Sequence, residues 1–188
     1  MMKLLSVLVC AVVLANNGPV HADAPRTVMF SNVNIFDGES SRLIEGGSVL
    51  VEGKLIKAVS SSPISAPGAE VIDGGGRTLM PGLTDAHVHL MLNDAPHVSI
   101  YEKPWAFVGA QAVAGARAML MRGFTTVRDA GGADHGLAHA LDEGLLTGPR
   151  LLYCGKTLSQ TGGHGDMRAP GENTFEGCFC CAGLGQIC

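Results

Sequence analysis

The sequence predicts an α/β fold on the strength of two observations. Between Leu83 and Cys154, short β-branched or apolar runs alternate with stretches at helical spacing. Before them, residues 27–80 carry strand signals only. Strand, helix, strand, helix, strand at these intervals is the βαβ pattern of a parallel sheet. The pattern alone fits an open sheet as well as a barrel.

The first 22 residues read as a secretory signal peptide. Lys3 supplies the positive start, Leu4 to Ala15 an apolar run broken only by Ser6, and Val20-His21-Ala22 a small-residue cleavage pattern. The run is shorter than the roughly 20 residues a membrane span needs, so no stable span is expected. The exported chain is expected to begin at Asp23, in the periplasm or outside the cell. N-terminal sequencing of exported protein checks this, and a start at Met1 refutes it.

Residues 23–80 form a first, β-rich domain in this reading. Thr27-Val28-Met29-Phe30 leads into Val33-Asn34-Ile35-Phe36, and Asp37-Gly38 turns the chain. Ser48–Val51 and Leu55–Val59 flank Glu52-Gly53-Lys54, which reads as a hairpin with a three-residue loop. Pro63 and Pro67-Gly68 precede a further short strand at Val71-Ile72-Asp73.

Residues 81–188 form the second domain. Its first strand begins near Leu83, followed by a polar loop over residues 93–101. Pro104 fits the first position of a helix. Trp105, Val108, Ala112, Met119 and Leu120 fall roughly on one helical face, and Gly123 suits its end. Thr125–Arg128 is the second strand and Asp129 ends it. Asp134 is the expected N-cap of a helix over Leu137, Ala138 and Leu141. Arg150–Cys154 is the third strand. Residues 157–188 read as a long loop with no clear element, and a structureless loop of that length suggests that something is missing.

His87 and His89 stand at i and i+2 on the first of these strands, so both imidazoles face one side while Val88 faces the other. Neutral imidazole is the commonest side-chain metal ligand near neutral pH. The bare spacing alone favours two unconnected surface histidines. The surroundings decide: Val71-Ile72-Asp73-Gly74-Gly75-Gly76-Arg77-Thr78-Leu79-Met80-Pro81-Gly82-Leu83-Thr84-Asp85-Ala86-His87-Val88-His89-Leu90 resembles the start of the barrel in the metal-dependent amidohydrolase superfamily. The resemblance is nearest to its imidazolonepropionase-like and prolidase-like branch. Ser159-Gln160-Thr161-Gly162-Gly163-His164-Gly165-Asp166 resembles the same branch.

The resemblance selects a TIM-like (β/α)8 barrel, of which this chain holds the first three strands, preceded by the N-terminal part of a small β-sandwich. A complete barrel typically takes about 250 residues, more than the 188 here. It implies that His87 and His89 are metal ligands, that one or two divalent ions are bound, zinc being the expected one, and that His164 binds substrate or an intermediate. The remaining ligands and the general base are expected beyond residue 188. The implied activity is hydrolysis of amide, peptide or cyclic C–N bonds by metal-activated water, with a small molecule or dipeptide as substrate. The chain by itself is expected to be an inactive fragment. The sandwich's returning segment lies outside the sequence, so unpaired edge strands are expected.

Other residues carry weaker signals. Asp85 shares the histidines' face and fits either an orienting partner or a structural strand-end carboxylate. Asp129 fits loop organisation better than catalysis. His135 and His139 have the i, i+4 spacing of a helical metal pair, yet they sit opposite Leu137 and Leu141, on a solvated face. Cys154, Cys178, Cys180, Cys181 and Cys188 remain after cleavage; five cannot all pair within one chain. Cys178 and Cys181 have zinc-ligand spacing, but disulfides suit an exported loop at least as well.

Composition excludes some classes. The chain is 46% hydrophobic, 16% charged and 5% aromatic, with a formal net charge of -4. That is globular, not disordered. No basic stripe suggests a nucleic-acid partner. The alternative function from another class is a non-catalytic secreted metal-binding or interaction module built on His87, His89 and the cysteine loop.

Overall fold

The computed structural model describes residues 25–94, 102–160 and 163–165, and the backbone of 181–183. The signal-peptide reading and Cys178, Cys180 and Cys188 lie outside these residues. The chain divides into two compact units at Met80/Pro81.

The first unit is a mixed five-stranded sheet built on β1 (Thr27–Ile35). β1 pairs antiparallel with β2 (Ile44–Glu52), and β2 with β3 (Leu55–Ser60). On its other side β1 pairs parallel with β4 (Glu70–Asp73) and then β5 (Thr78–Leu79). The two runs read separately at residues 27–30 and 33–36 are thus one strand. Its ladder is interrupted at Asn32, which adopts φ 53° and donates from Nδ2 to Asp73 Oδ1 at 3.0 Å. The hairpin loop is two residues, not three: Glu52 pairs with Leu55, and Gly53 takes φ 60°, a conformation that costs glycine little.

Val33, Ile35 and Val49 form this unit's core, with Phe30, Ile44, Val51 and Leu79 packed against it. Leu55, Ile56, Val71 and Ile72 on the outer strands are exposed. Among the described residues the sheet stands as one layer, so the two-layer sandwich implied by the resemblance is not formed by them.

The second unit is a parallel sheet in the order β6-β7-β8 with two helices. β6 is Leu83–Val88, β7 Phe124–Asp129 and β8 Arg150–Tyr153; α1 (Trp105–Met121) and α2 (His135–Asp142) are the crossovers. This is the βαβαβ expected, as three adjacent strands and not a closed barrel. Asp134 caps α2, accepting from Leu137 N at 3.0 Å. Pro104 is the N-cap of α1 and not its first helical residue. The buried stripe of α1 is Val108, Ala112 and Ala116, while Trp105 is 52% exposed. These alanines, with Ala133 and Ala138, surround Val127 of the central strand and Leu151 of β8.

Residues 157–188 are not without elements. β9 (Thr157–Ser159) pairs parallel with β10 (Cys181–Gly183). Three-residue strands are too short to show a period-2 pattern, which is why the sequence reads as loop.

Close approach fixes Gly82, the residue immediately before β6. A Cβ there would lie 2.1 Å from Thr125 Oγ1 and 2.2 Å from Thr125 Cγ2. Gly82→Ala is expected to displace Thr125 of β7 and to cost about 1–3 kcal/mol, as overpacking does. Thermal denaturation checks it; an unchanged Tm refutes it.

Candidate metal centre

His87 lies within β6 and His89 follows its last residue, so both sit at the strand's C-terminal end, where parallel α/β folds build their sites. Their ring centroids are 5.2 Å apart with planes at 77°. The two rings are therefore edge-to-face neighbours at the strand end. His87 is exposed and His89 half-buried.

The neighbouring strand supports both residues. His89 Nδ1 is 2.9 Å from Gly131 O. A carbonyl only accepts, so this contact places the proton on Nδ1 and leaves Nε2 with a free lone pair. Arg128 Nε donates to Ala86 O at 2.7 Å, fixing the peptide just before His87. Asp85 Oδ1 accepts from His87 N at 3.0 Å, so Asp85 shapes the backbone of the strand end.

Asp129 is 0% exposed. Its Oδ1 accepts from Gly131 N at 2.9 Å and Ala133 N at 3.1 Å, and its Oδ2 from Leu90 N at 2.6 Å. This is the loop-organising role that the sequence favours for it. Ala130 N also donates to Val88 O at 2.9 Å. The backbone on either side of His89 is thus held by the turn after β7.

Further along, Asp94 accepts from Lys103 and, at 3.2 Å, from Gln111 Nε2, joining the two ends of the β6–α1 connection. The Lys103 hydrogen bond, then that of Gln111, holds the Asp94 carboxyl below the usual carboxylate range.

The other predicted residues lie apart from the pair. His164 is exposed in the turn at 163–165, where Gly165 N donates to Ser159 Oγ at 3.1 Å. No hydrogen bond or ring contact joins it to His87 or His89 among the described residues. His135 and His139 are on the exposed face of α2, as the spacing predicts, with rings stacked at 5.4 Å. His135 Nδ1 is 3.3 Å from Tyr153 Oη. Cys154 is a free, exposed thiol. Sequence reasoning assigns no role to Arg128 or Gly131. One acts through its guanidinium on a carbonyl, the other through its own carbonyl, and neither leaves a residue-type signature.

The donor set fits part of a metal site. Two imidazoles facing one side, one with its tautomer fixed by a carbonyl, are what a borderline-soft divalent ion takes. Among the described residues no group of three or more His, Cys, Asp or Glu stands together around an ion's position. The two histidines stand without a third such residue beside them among the described residues.

Residues 78–178, more than half the chain, match the profile of the amidohydrolase family. The chain belongs to that family, whose members hydrolyse C–N bonds with metal-activated water and commonly use divalent cofactors. An ochratoxinase from Aspergillus niger is 37% identical over 94 residues, covering 48% of this chain and 20% of its own length. A prolidase solved in complex with N-methylphosphonate-L-proline is 40% identical with a TM-score of 0.74, over 80% of this chain and 37% of that one. A Xaa-Pro dipeptidase with bound methionine is 28% identical with a TM-score of 0.65, over 80% and 37%. These place the chain beside the prolidase-like branch. The chain spans a fifth of the length of that curated relative and just over a third of those solved structures. Among the described residues no helix is long and apolar enough to cross a membrane.

Proposed function

We propose that this chain supplies the first metal-ligand pair and the first three strands of a metal-dependent hydrolase that cleaves the C–N bond of dipeptide-like substrates. The observation that carries the proposal is the His87–His89 pair at the end of the first parallel strand, with His89 Nδ1 bonded to Gly131 O. In this reading His87 and His89 hold one divalent ion, zinc being the expected one. When bound, the ion supplies Lewis acidity that brings an attacking water's pKa to about 7 and polarises the scissile carbonyl. His164, on a glycine-flanked turn after β8, binds substrate or intermediate. The general base and remaining ligands come from outside these 188 residues.

Kinship to a prolidase and a Xaa-Pro dipeptidase favours a dipeptide over a cyclic imidazolone. A signal peptide over residues 1–22 adds export, which suits scavenging of small peptides outside the cytoplasm. The half-complete donor set keeps one second reading in view: the chain on its own binds metal without turnover.

The test uses the enzyme that joins this chain to the rest of the family's site. Purified, stripped with chelator and resupplied with Zn²⁺, it is expected to hydrolyse Xaa-Pro and other dipeptides only when metal is restored. Turnover that survives complete metal removal would sink the proposal. Metal-dependent turnover confined to non-peptide amides would reassign the substrate.

A further inference from the structure

We infer that Asp129 is the positioning residue of the histidine pair. Its buried carboxylate locks the segment 129–133 against the end of β6, so that Gly131 O takes the Nδ1 proton of His89 and Nε2 is the nitrogen presented. The metal consequence rests on the function proposed above; the tautomer does not.

Asp129 has no exposed surface, and a carboxylate withdrawn from water is costly unless hydrogen-bonded. Three backbone N–H groups meet it: Leu90 on Oδ2, Gly131 and Ala133 on Oδ1. Leu90 directly follows His89, 39 residues before Asp129 in the chain. Gly131 and Ala133 bracket the turn whose carbonyl meets the His89 ring. One side chain therefore sets the distance between a histidine and the acceptor that fixes its tautomer. Gly132 closes the turn from the other side: it adopts φ 111° and donates to Gly155 O at 3.1 Å.

The arrangement is specific to a carboxylate. Asparagine offers one acceptor oxygen and an NH₂ group that only donates. Asp129→Asn can keep Gly131 and Ala133 on its oxygen, but it turns a donor toward Leu90 N. The link that breaks is the one to the His89 side. His87 has separate supports, Arg128 on Ala86 O and Asp85 on its own N–H. Asp129 therefore governs His89 and not His87.

The experiment is long-range ¹H–¹⁵N correlation of the histidine rings in the ¹⁵N-labelled 188-residue chain, near pH 8, where imidazoles are neutral, with and without Zn²⁺. His89 is expected as the Nδ1–H tautomer before any metal is added. In Asp129→Asn, His89 is expected to gain the Nε2–H form, the Leu90 amide to lose exchange protection, and the His87 ring to stay as it was. Zn²⁺ affinity, read from the titration of the His89 ring, is expected to fall about 10- to 100-fold, as when other orienting partners are lost.

An Nε2–H His89 in the unaltered chain overturns the inference, whether or not the variant folds. So does a folded Asp129→Asn whose only change is a lower Tm. If Zn²⁺ moves neither ring of the unaltered chain, the metal reading fails, while the tautomer still decides the role of Asp129.

Discussion

Replacing His87 or His89 by alanine in the assembled enzyme is expected to abolish metal content and hydrolysis together, while His139→Ala leaves both intact. The two rings lie 5.2 Å apart at one strand end, and in the function proposed above each gives the ion one imidazole nitrogen. Losing such a nitrogen should cost more affinity than the roughly 10- to 100-fold seen when only a ligand's hydrogen-bond partner is lost. Activity should then fall to that of the metal-free protein. His139 lies exposed on α2 beside His135, and exposed substitutions of this kind usually stay within about 0.5 kcal/mol. Elemental analysis read beside kcat/KM decides it. Full metal occupancy in either alanine variant would remove the ligand assignment.

The largest effect on stability is expected from Asp129→Ala. It strips the acceptor from three N–H groups at a position with no solvent exposure. Each orphaned buried donor costs about 1–3 kcal/mol. A total on the order of 3–5 kcal/mol is expected, because water can enter the vacated space and satisfy part of the set. Small domains are stable by only about 5–15 kcal/mol, so much of the second unit's margin goes. Urea denaturation of the variant measures it, and a loss under 1 kcal/mol, as an order-of-magnitude threshold, would mean the three bonds are not made.

Much of this architecture is legible in the sequence because the strands and helices carry strong local signals. The β-branched run Thr125-Thr126-Val127 announces β7, and Asp134 announces the start of α2. Features set by distant partners do not read in this way. Asn32 interrupts β1 because Asp73 and Gly76 meet it from some forty residues on. Ala116 belongs to the core stripe of α1, yet alanine adds little hydropathic contrast to a helix already rich in alanine. β9 and β10 are three residues each and recognise one another across more than twenty intervening positions.

The candidate site divides similarly. The histidine pair stands out as a candidate from spacing and context, and the loop-organising character of Asp129 is legible too. The supports are not, because Gly131 and Ala86 contribute backbone oxygens that every residue type possesses. His164 illustrates the reverse. Its glycine-rich neighbourhood marks it in the sequence, while in the structure it is an exposed turn residue with no bond to the pair among the described residues.

The sheet of the first unit carries a consequence for how the chain acquires its shape. β2 and β3 are joined by two residues and can zip together locally within microseconds. β1 precedes them, but its parallel partners β4 and β5 lie more than forty residues downstream. Closing a loop of that length must come before any of those contacts stabilise it, and such non-local pairing slows folding. During synthesis, β1 therefore waits with one edge unsatisfied until residue 79 has emerged. At the usual pace of about 5–20 residues per second, that wait lasts seconds, long compared with hairpin formation. During that interval the open edge of β1 can meet a wrong strand partner.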